Sequence, residues 1–249
     1  MDLRERHQHA TRHPWETVRA SFFQRLAAQY ASSASSVIDV GSGDGWFAAE
    51  LQRSTLPNAT IVCWDTNYLP DDLTEPLPSG ISRTVEQPGL RADLVLALDV
   101  IEHVADDQLF VGTTLRSVIS DHGVLIASVP AHQWMFSRHD TALGHYRRYR
   151  LRQLTALLEP NFQVEVAGTL FTTLLAPRFA AVVLERLLRP SAPIAPESGW
   201  TRGSLVTSLV RLALVLDTRI ASALARIGVR LPGLSVWAVC RPRPNGGPS

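Results

Sequence analysis

The chain has 249 residues, 45% of them apolar, and its 24 basic and 23 acidic side chains leave a formal net charge of +1. A chain of that size and apolar content can bury one sizeable α/β core and is not a disordered polymer. The charge balance supplies no global field for steering onto DNA or RNA, so no nucleic-acid partner is expected.

The opening residues, Met1 to His9, are polar, with no apolar run and no small-residue cleavage site. A secretory signal is therefore not expected, and the protein is read as cytoplasmic. Pro14 to Tyr30 reads as a helix, with proline in an allowed first-turn position and Trp15, Val18, Phe22, Phe23 and Leu26 at helical spacing. A polar run then delivers the chain to an apolar strand, Val37 to Val40, which contains Asp39 and runs into Gly41, Gly43 and Gly45. Glycine accepts positive φ and has no Cβ, so these three residues can fold into a tight turn that lets backbone N–H groups approach a bound nucleoside. A helix from Trp46 to Arg53 follows. Strand, glycine turn and helix is the order that dinucleotide sites require, but the spacing G-x-G-x-G differs from G-x-G-x-x-G and argues against a nicotinamide or flavin dinucleotide.

A second strand, Thr60 to Trp64, ends at Asp65, and a short third strand is predicted at Ile81 to Val85 after a loop rich in Pro and Asp. The fourth strand, Leu94 to Leu98, ends at Asp99, with Glu102 and His103 just beyond. A helix is predicted from Asp106 to Ser120, a turn at Asp121-His122-Gly123, and a fifth strand from Val124 to Val129. After Pro130 a loop runs to Tyr149. The helix Leu151 to Leu158 stops at Pro160, Phe162 to Ala167 alternates as a half-exposed strand, and Leu234 to Cys240 is the last strand, with a disordered Pro/Gly tail from Arg241. Strands alternating with helices predict a mostly parallel sheet covered by helices on both faces. Cys63 and Cys240 each fall on a predicted strand, too few for a disulfide framework and without metal-ligand spacing. They are read as reduced, buried thiols, and no metal is expected.

The sixty or so residues before the last strand are too many for a structureless loop. Leu174 to Leu188 and Leu205 to Leu216 mark two apolar helices, and Ile220 to Val229 a third, basic one. Arg178, Glu185, Arg186 and Arg189 interrupt the first stretch and Arg211 and Asp217 the second, so neither reads as a spanning helix; a helix lying on a membrane surface remains open.

The segment D-x-G-x-G-x-G after a hydrophobic strand resembles motif I of the class I S-adenosylmethionine-dependent methyltransferases. Two more segments agree in order: Asp65, where that family places the acid that holds both ribose hydroxyls, and Asp99-Val100-Ile101-Glu102-His103, similar to its D-V-x-E-H loop beside the methionine end of the cofactor. His139-Asp140 with Gly144-His145-Tyr146-Arg147-Arg148-Tyr149 resembles an H-D-x-x-x-G-H-x-R-R-Y pattern in a subset of these enzymes, as does His13-Pro14-Trp15-Glu16. The resemblance spans about Arg12 to Leu170 and the final strand. It implies a Rossmann-like, seven-stranded, mostly parallel sheet whose last two strands are antiparallel, with S-adenosylmethionine as cofactor. It further implies that Asp39 orients the glycine turn and reaches the methionine ammonium, that Gly41, Gly43 and Gly45 line the cofactor, and that Val85 and Glu86 lie near adenine, with Asp99 at the site. The layout expected is a helical cover over residues 1–30, a cofactor-binding core over 31–170 and 233–241, a helical insertion over 171–232 and a tail over 242–249.

Methyl transfer from a sulfonium is an in-line displacement that needs alignment and, for a protonated nucleophile, a base. His139 or His145 is the first choice of base, with His103 in reserve, and Asp140 can fix a histidine tautomer. Arg147 and Arg148 could clamp a carboxylate or phosphate of the acceptor beside Tyr146 and Tyr149, or else bond backbone and Asp140. The acceptor expected is a small or lipid-linked molecule, and the insertion either packs on the sheet or forms a greasy platform with arginines at its edges. Rival readings are a protein that binds the cofactor without transferring methyl, as a cyclase-type catalyst or scaffold, and a membrane-surface interaction module.

Overall fold

The computed structural model describes residues 12–188, 200 and 202–244. Helix α1 (Pro14–Tyr30) leads to β1 (Ser36–Val40), α2 (Trp46–Ser54), β2 (Thr60–Trp64), α3 (Pro70–Thr74), β3 (Ile81–Thr84) and β4 (Ala92–Leu98). Then come α4 (Asp107–Leu109), a π-helical turn (Phe110–Leu115), α5 (Arg116–Val118), β5 (Ile119–Pro130), α6 (Arg138–Leu143), α7 (Leu151–Leu158), β6 (Phe162–Leu170), α8 (Leu175–Leu188), α9 (Ser204–Arg226) and β7 (Ser235–Pro242). The seven strands form one sheet in the order β3-β2-β1-β4-β5-β7-β6. The first five run parallel, and β7 lies antiparallel between β5 and β6. This is the Rossmann-like α/β architecture with an antiparallel end.

Apolar runs rather than alternation mark the central strands, because both their faces are covered. Val37, Leu94 and Leu96 face a core built with Phe22, Phe23 and Leu26 of α1 and Leu214 of α9. Ile38, Val95 and Leu125 face the other core, with Leu115, Leu154, Leu158 and Phe162. The two thiols are buried, Cys63 on β2 and Cys240 on β7, on opposite sides of β4.

Several predicted boundaries are corrected. The helix predicted over 106–120 starts at Asp107, where Asp106 caps it by accepting from the Leu109 N–H at 2.9 Å, and its middle is wound as a π turn. Val111, Leu115 and Val118 of this segment all enter the core. The predicted turn at 121–123 lies inside β5 as an irregularity: Ala92 pairs with Ile119 but Leu94 with Val124. The loop after Pro130 contains α6, which starts where Asp140 accepts from both the N–H and the hydroxyl of Ser137 and stops at Gly144, whose φ is +80°. The second and third predicted helices of the insertion are one helix, α9. Asp217, which breaks the apolar run of this helix, is buried and accepts from the N–H (3.0 Å) and hydroxyl (2.8 Å) of Thr173. Finally, β7 runs through Pro242, so Arg241 and Pro242 belong to the sheet, and the Arg243 N–H donates to the Asn161 carbonyl at 2.9 Å. Residues 245–249 of the predicted tail lie outside the described residues.

Candidate active site

In an open α/β sheet, ligands bind beyond the carboxyl ends of the strands where the strand order reverses. Here the reversal lies between β1 and β4. The turn after β1 needs glycine: Gly41, Gly43 and Gly45 have φ of +61°, +57° and +76°. A Cβ on Gly41 would lie 2.5 Å from Cγ2 of Val100, the residue after Asp99, so the turn packs directly against the loop after β4. The Gly43 N–H donates to Asp65 Oδ2 at 3.0 Å, while Asp65 Oδ1 accepts from the Asn67 N–H at 2.9 Å. The Asn67 side-chain amide also donates to Oδ1, at 3.1 Å, so of the carboxylate's four or so lone-pair positions about one remains for a donor on a ligand. Asp39 is buried at the end of β1, and burial, with Asp65 close by, pushes its carboxyl up to about 7. Val85 follows β3 next to this acid: the Asp65 N–H donates to the Thr84 carbonyl, and the Val85 carbonyl accepts from the Trp64 indole. Glu86 is exposed beyond it.

Asp99 holds the left-handed φ of +60° that aspartate tolerates better than most residues. Its carboxylate accepts from Arg19 at 2.7 Å and from the Ser128 hydroxyl at 3.1 Å, and Arg19 also donates to that hydroxyl at 2.7 Å. Sequence reasoning missed Arg19 and Ser128. The signal for Arg19 was a charged residue within the apolar face of α1, one turn after Trp15 and one turn before Phe23.

Glu102 and His103 lie in a 3-10 turn after Asp99, and the Tyr146 N–H donates to the Glu102 carbonyl at 2.8 Å. That bond draws the segment after α6 onto the turn. The rings of His103 and His145 meet edge to face, 4.6 Å apart, and one ligating atom each of Glu102, His103 and His145 lie within 4.8 Å of one another. His145 Nδ1 is 2.9 Å from Asp140 Oδ1, which places a proton on Nδ1 and leaves the lone pair on Nε2. Glu102 is completely buried, and its carboxyl is raised well above the usual range by burial and by Asp99. His139, on α6, is not in this cluster.

The other residues of the segment are tied to protein. Asp140 is fully buried, and Arg148 grips it through two bonds of 2.7 and 3.1 Å. Burial opposes ionisation, but the bonds from His145 and Arg148 outweigh it and hold the Asp140 carboxyl far below the usual range. Arg147 pairs with Asp107 at 2.7 Å, and the Tyr149 hydroxyl donates to the same carboxylate at 2.7 Å. Tyr146 is exposed.

A cavity of about 500 Å³ opens between α1 and the first turns of α9, lined by Arg12, Thr17, Trp200, Arg202, Thr207 and Arg211 among others. Arg12 also pairs with Asp44 in the glycine turn and lies over the Trp46 ring, so cavity and turn adjoin.

The glycine turn between three strand-end carboxylates suits a ligand that brings hydroxyl and ammonium donors on a nucleoside, and the fold with this site defines a Rossmann-like, S-adenosylmethionine-dependent methyltransferase of class I. A family profile described as a methyltransferase domain matches residues 7–165, and the chain belongs to that family. No curated protein matches it. Among solved structures, it is similar to the N-methyltransferase NodS from Bradyrhizobium japonicum WM9 in complex with S-adenosyl-L-homocysteine (12% identity, 93% of this chain and 89% of that one, TM-score 0.53). Coclaurine N-methyltransferase bound to N-methylheliamine and S-adenosylhomocysteine gives 11% identity over 92% and 70%, with a TM-score of 0.54. The cyclase SpnF gives 14% over 96% and 86%, with a TM-score of 0.56. At these identities the likeness is one of fold.

Proposed function

We infer that this methyltransferase acts on a small amphiphilic or lipid-linked acceptor, holding S-adenosylmethionine in the turn after β1 and taking the acceptor's proton at the His103–His145 pair. The observation that carries the reading is the glycine turn closed by Asp65 on the Gly43 N–H, with Asp39 and Asp99 at the neighbouring strand ends. Asp65 would hold the ribose hydroxyls, Asp39 the methionine ammonium, and Val85 and Glu86 would border the adenine. The cofactor supplies an activated methyl carbon on a sulfonium. The chain's part is to align it, to exclude water and to accept a proton where the nucleophile carries one. His145 suits that last role because Asp140, itself locked by Arg148, fixes its ring and tautomer.

Support for an amphiphilic acceptor comes from the helical segment. Residues 171–232 contain eight arginines (178, 186, 189, 202, 211, 219, 226 and 230) against three acids (185, 197 and 217). Leu187, Leu188, Leu205, Leu209 and Leu212 are exposed on α8 and α9. Among the described residues no helix is long and apolar enough to cross a membrane. Exposed apolar side chains on a segment with an excess of arginines favour contact with an anionic membrane surface, and the arginine-lined cavity offers a seat for an anionic head group.

Calorimetric titration with S-adenosylmethionine and S-adenosylhomocysteine, beside Asp65→Ala, tests the cofactor half. Saturable binding that weakens at least tenfold in the variant is expected, and equal binding by both proteins would refute it. For the base, His145→Ala should keep cofactor affinity and lose turnover. Cofactor binding with no S-adenosylhomocysteine released against a panel of anionic amphiphiles would favour the cyclase or scaffold reading instead.

A further inference from the structure

Among the described residues, Glu102 is a buried carboxyl whose two oxygens find no hydrogen-bond partner. The two guanidinium groups nearest in influence are already engaged: Arg19 with Asp99 at 2.7 Å, and Arg148 with Asp140 at 2.7 Å. A buried carboxylate left without donors is costly and demands either a proton or a cation. What the fold sets beside it is two imidazoles, brought from different segments by the bond from the Tyr146 N–H to the Glu102 carbonyl.

We propose that Glu102, His103 and His145 form a binding site for one divalent transition-metal ion, and that the loaded site withholds the histidine pair from proton transfer. Two imidazoles and a carboxylate are a donor set for zinc, cobalt(II) or iron(II) rather than for magnesium or calcium, which prefer all-oxygen shells. The 4.8 Å spread of the ligand atoms lies within small side-chain movement of the 2.0–2.2 Å bonds such ions make. The shell behind the ligands is already built: Asp140 accepts from His145 Nδ1, which orients the ring and leaves Nε2 as the donor atom, as carboxylates do behind metal-bound histidines. An imidazole lone pair can hold a metal or take a proton, not both. The blocking half of the proposal therefore rests on the reading of the histidine pair given above, while metal uptake does not.

The experiment adds cobalt(II) to the full-length protein, freed of metal by chelator, and follows visible absorption and equilibrium dialysis. One cobalt per chain with the intense bands of a low-coordinate nitrogen and oxygen site is expected. Glu102→Gln and His145→Ala, each checked for an unchanged circular dichroism spectrum, should weaken uptake at least tenfold, and His103→Ala does the same if either variant fails to fold. Absence of uptake, or equal uptake by wild type and variants, would overturn the site. Turnover in the presence of zinc separates the two readings: loss reversed by chelator is expected, whereas stoichiometric uptake with unchanged turnover would reject the histidine pair as base and leave the metal site standing.

Discussion

Backbone geometry and buried charge make the sharpest demands at single positions. Gly41 combines a left-handed φ with a missing Cβ that would press on Val100. Gly41→Ala should therefore lose about 1–2 kcal/mol for the backbone alone, plus the contact. Pairing it with Val100→Ala should recover part of the loss in chemical denaturation, because it removes only the steric component. Asp39 gives a pH prediction. Its folded value of about 7 lies above the ordinary 3.8, so the folded protein holds a proton that the unfolded chain releases, and this contribution to stability is present below about pH 4 and lost as pH rises to 7. An ammonium group bound to Asp39 reverses the preference. Cofactor affinity should rise with pH up to about 7, and calorimetry at pH 6 in buffers of different ionisation enthalpy should report proton release that Asp39→Asn abolishes. The glycine turn and its strand-end acids were legible in the sequence because the requirement for positive φ is written into the residue type. Arg19 was not, since a helix read for its apolar spacing hides a cation whose partner, Asp99, is eighty positions away. The meeting of His103 with His145 was likewise invisible, as it depends on one backbone bond between distant segments.

The short helix α6 shows how a segment rich in polar residues becomes rigid. Asp140 caps α6 through Ser137, orients His145 and is gripped by Arg148, so the loop expected from composition is a locked turn. Replacing Arg148 by Met leaves a buried carboxylate without its main partner. A loss of about 3–5 kcal/mol is expected, read as a fall of roughly 10 °C in melting temperature for a chain of this length. The partners of Asp140 explain why the sequence alone left Arg148 open between acceptor and structure: both roles require an exposed-looking arginine near a carboxylate, and only burial separates them. On α9 the inner face is fixed by Leu214, Asp217 and Thr218, while Leu205, Leu209 and Leu212 stay in solvent. Leu209→Glu with Leu212→Glu should leave thermal stability within about 0.5 kcal/mol, as surface changes do. The same pair should abolish co-sedimentation with phosphatidylglycerol vesicles; equal sedimentation of wild type and variant would dismiss the membrane platform. Fusion of two predicted helices into α9 was not readable, because the apolar run that marks the first of them stops at Leu216 and the partner that holds Asp217 inward, Thr173, lies in a distant segment.

At the scale of the molecule, the sheet was the most legible feature and its irregularities the least. Apolar runs of five to seven residues identify strands whatever their partners, whereas the shift of register between β4 and β5 and the π turn before β5 arise from how whole layers fit. The position of β7 carries a consequence of its own. Among the described residues β6 has no sheet neighbour except β7, and β7 separates it from β5. Yet β6 ends at Leu170 and β7 begins only at Ser235. During synthesis, at roughly 5–20 residues per second, β6 and the outer edge of β5 emerge several seconds before the strand that joins them. In that interval the nascent chain presents an open sheet edge of the kind that recruits stray strands. The apolar helices α8 and α9 leave the ribosome in the same interval, so the order of emergence exposes an open sheet edge and two apolar helix faces together until β7 closes the sheet.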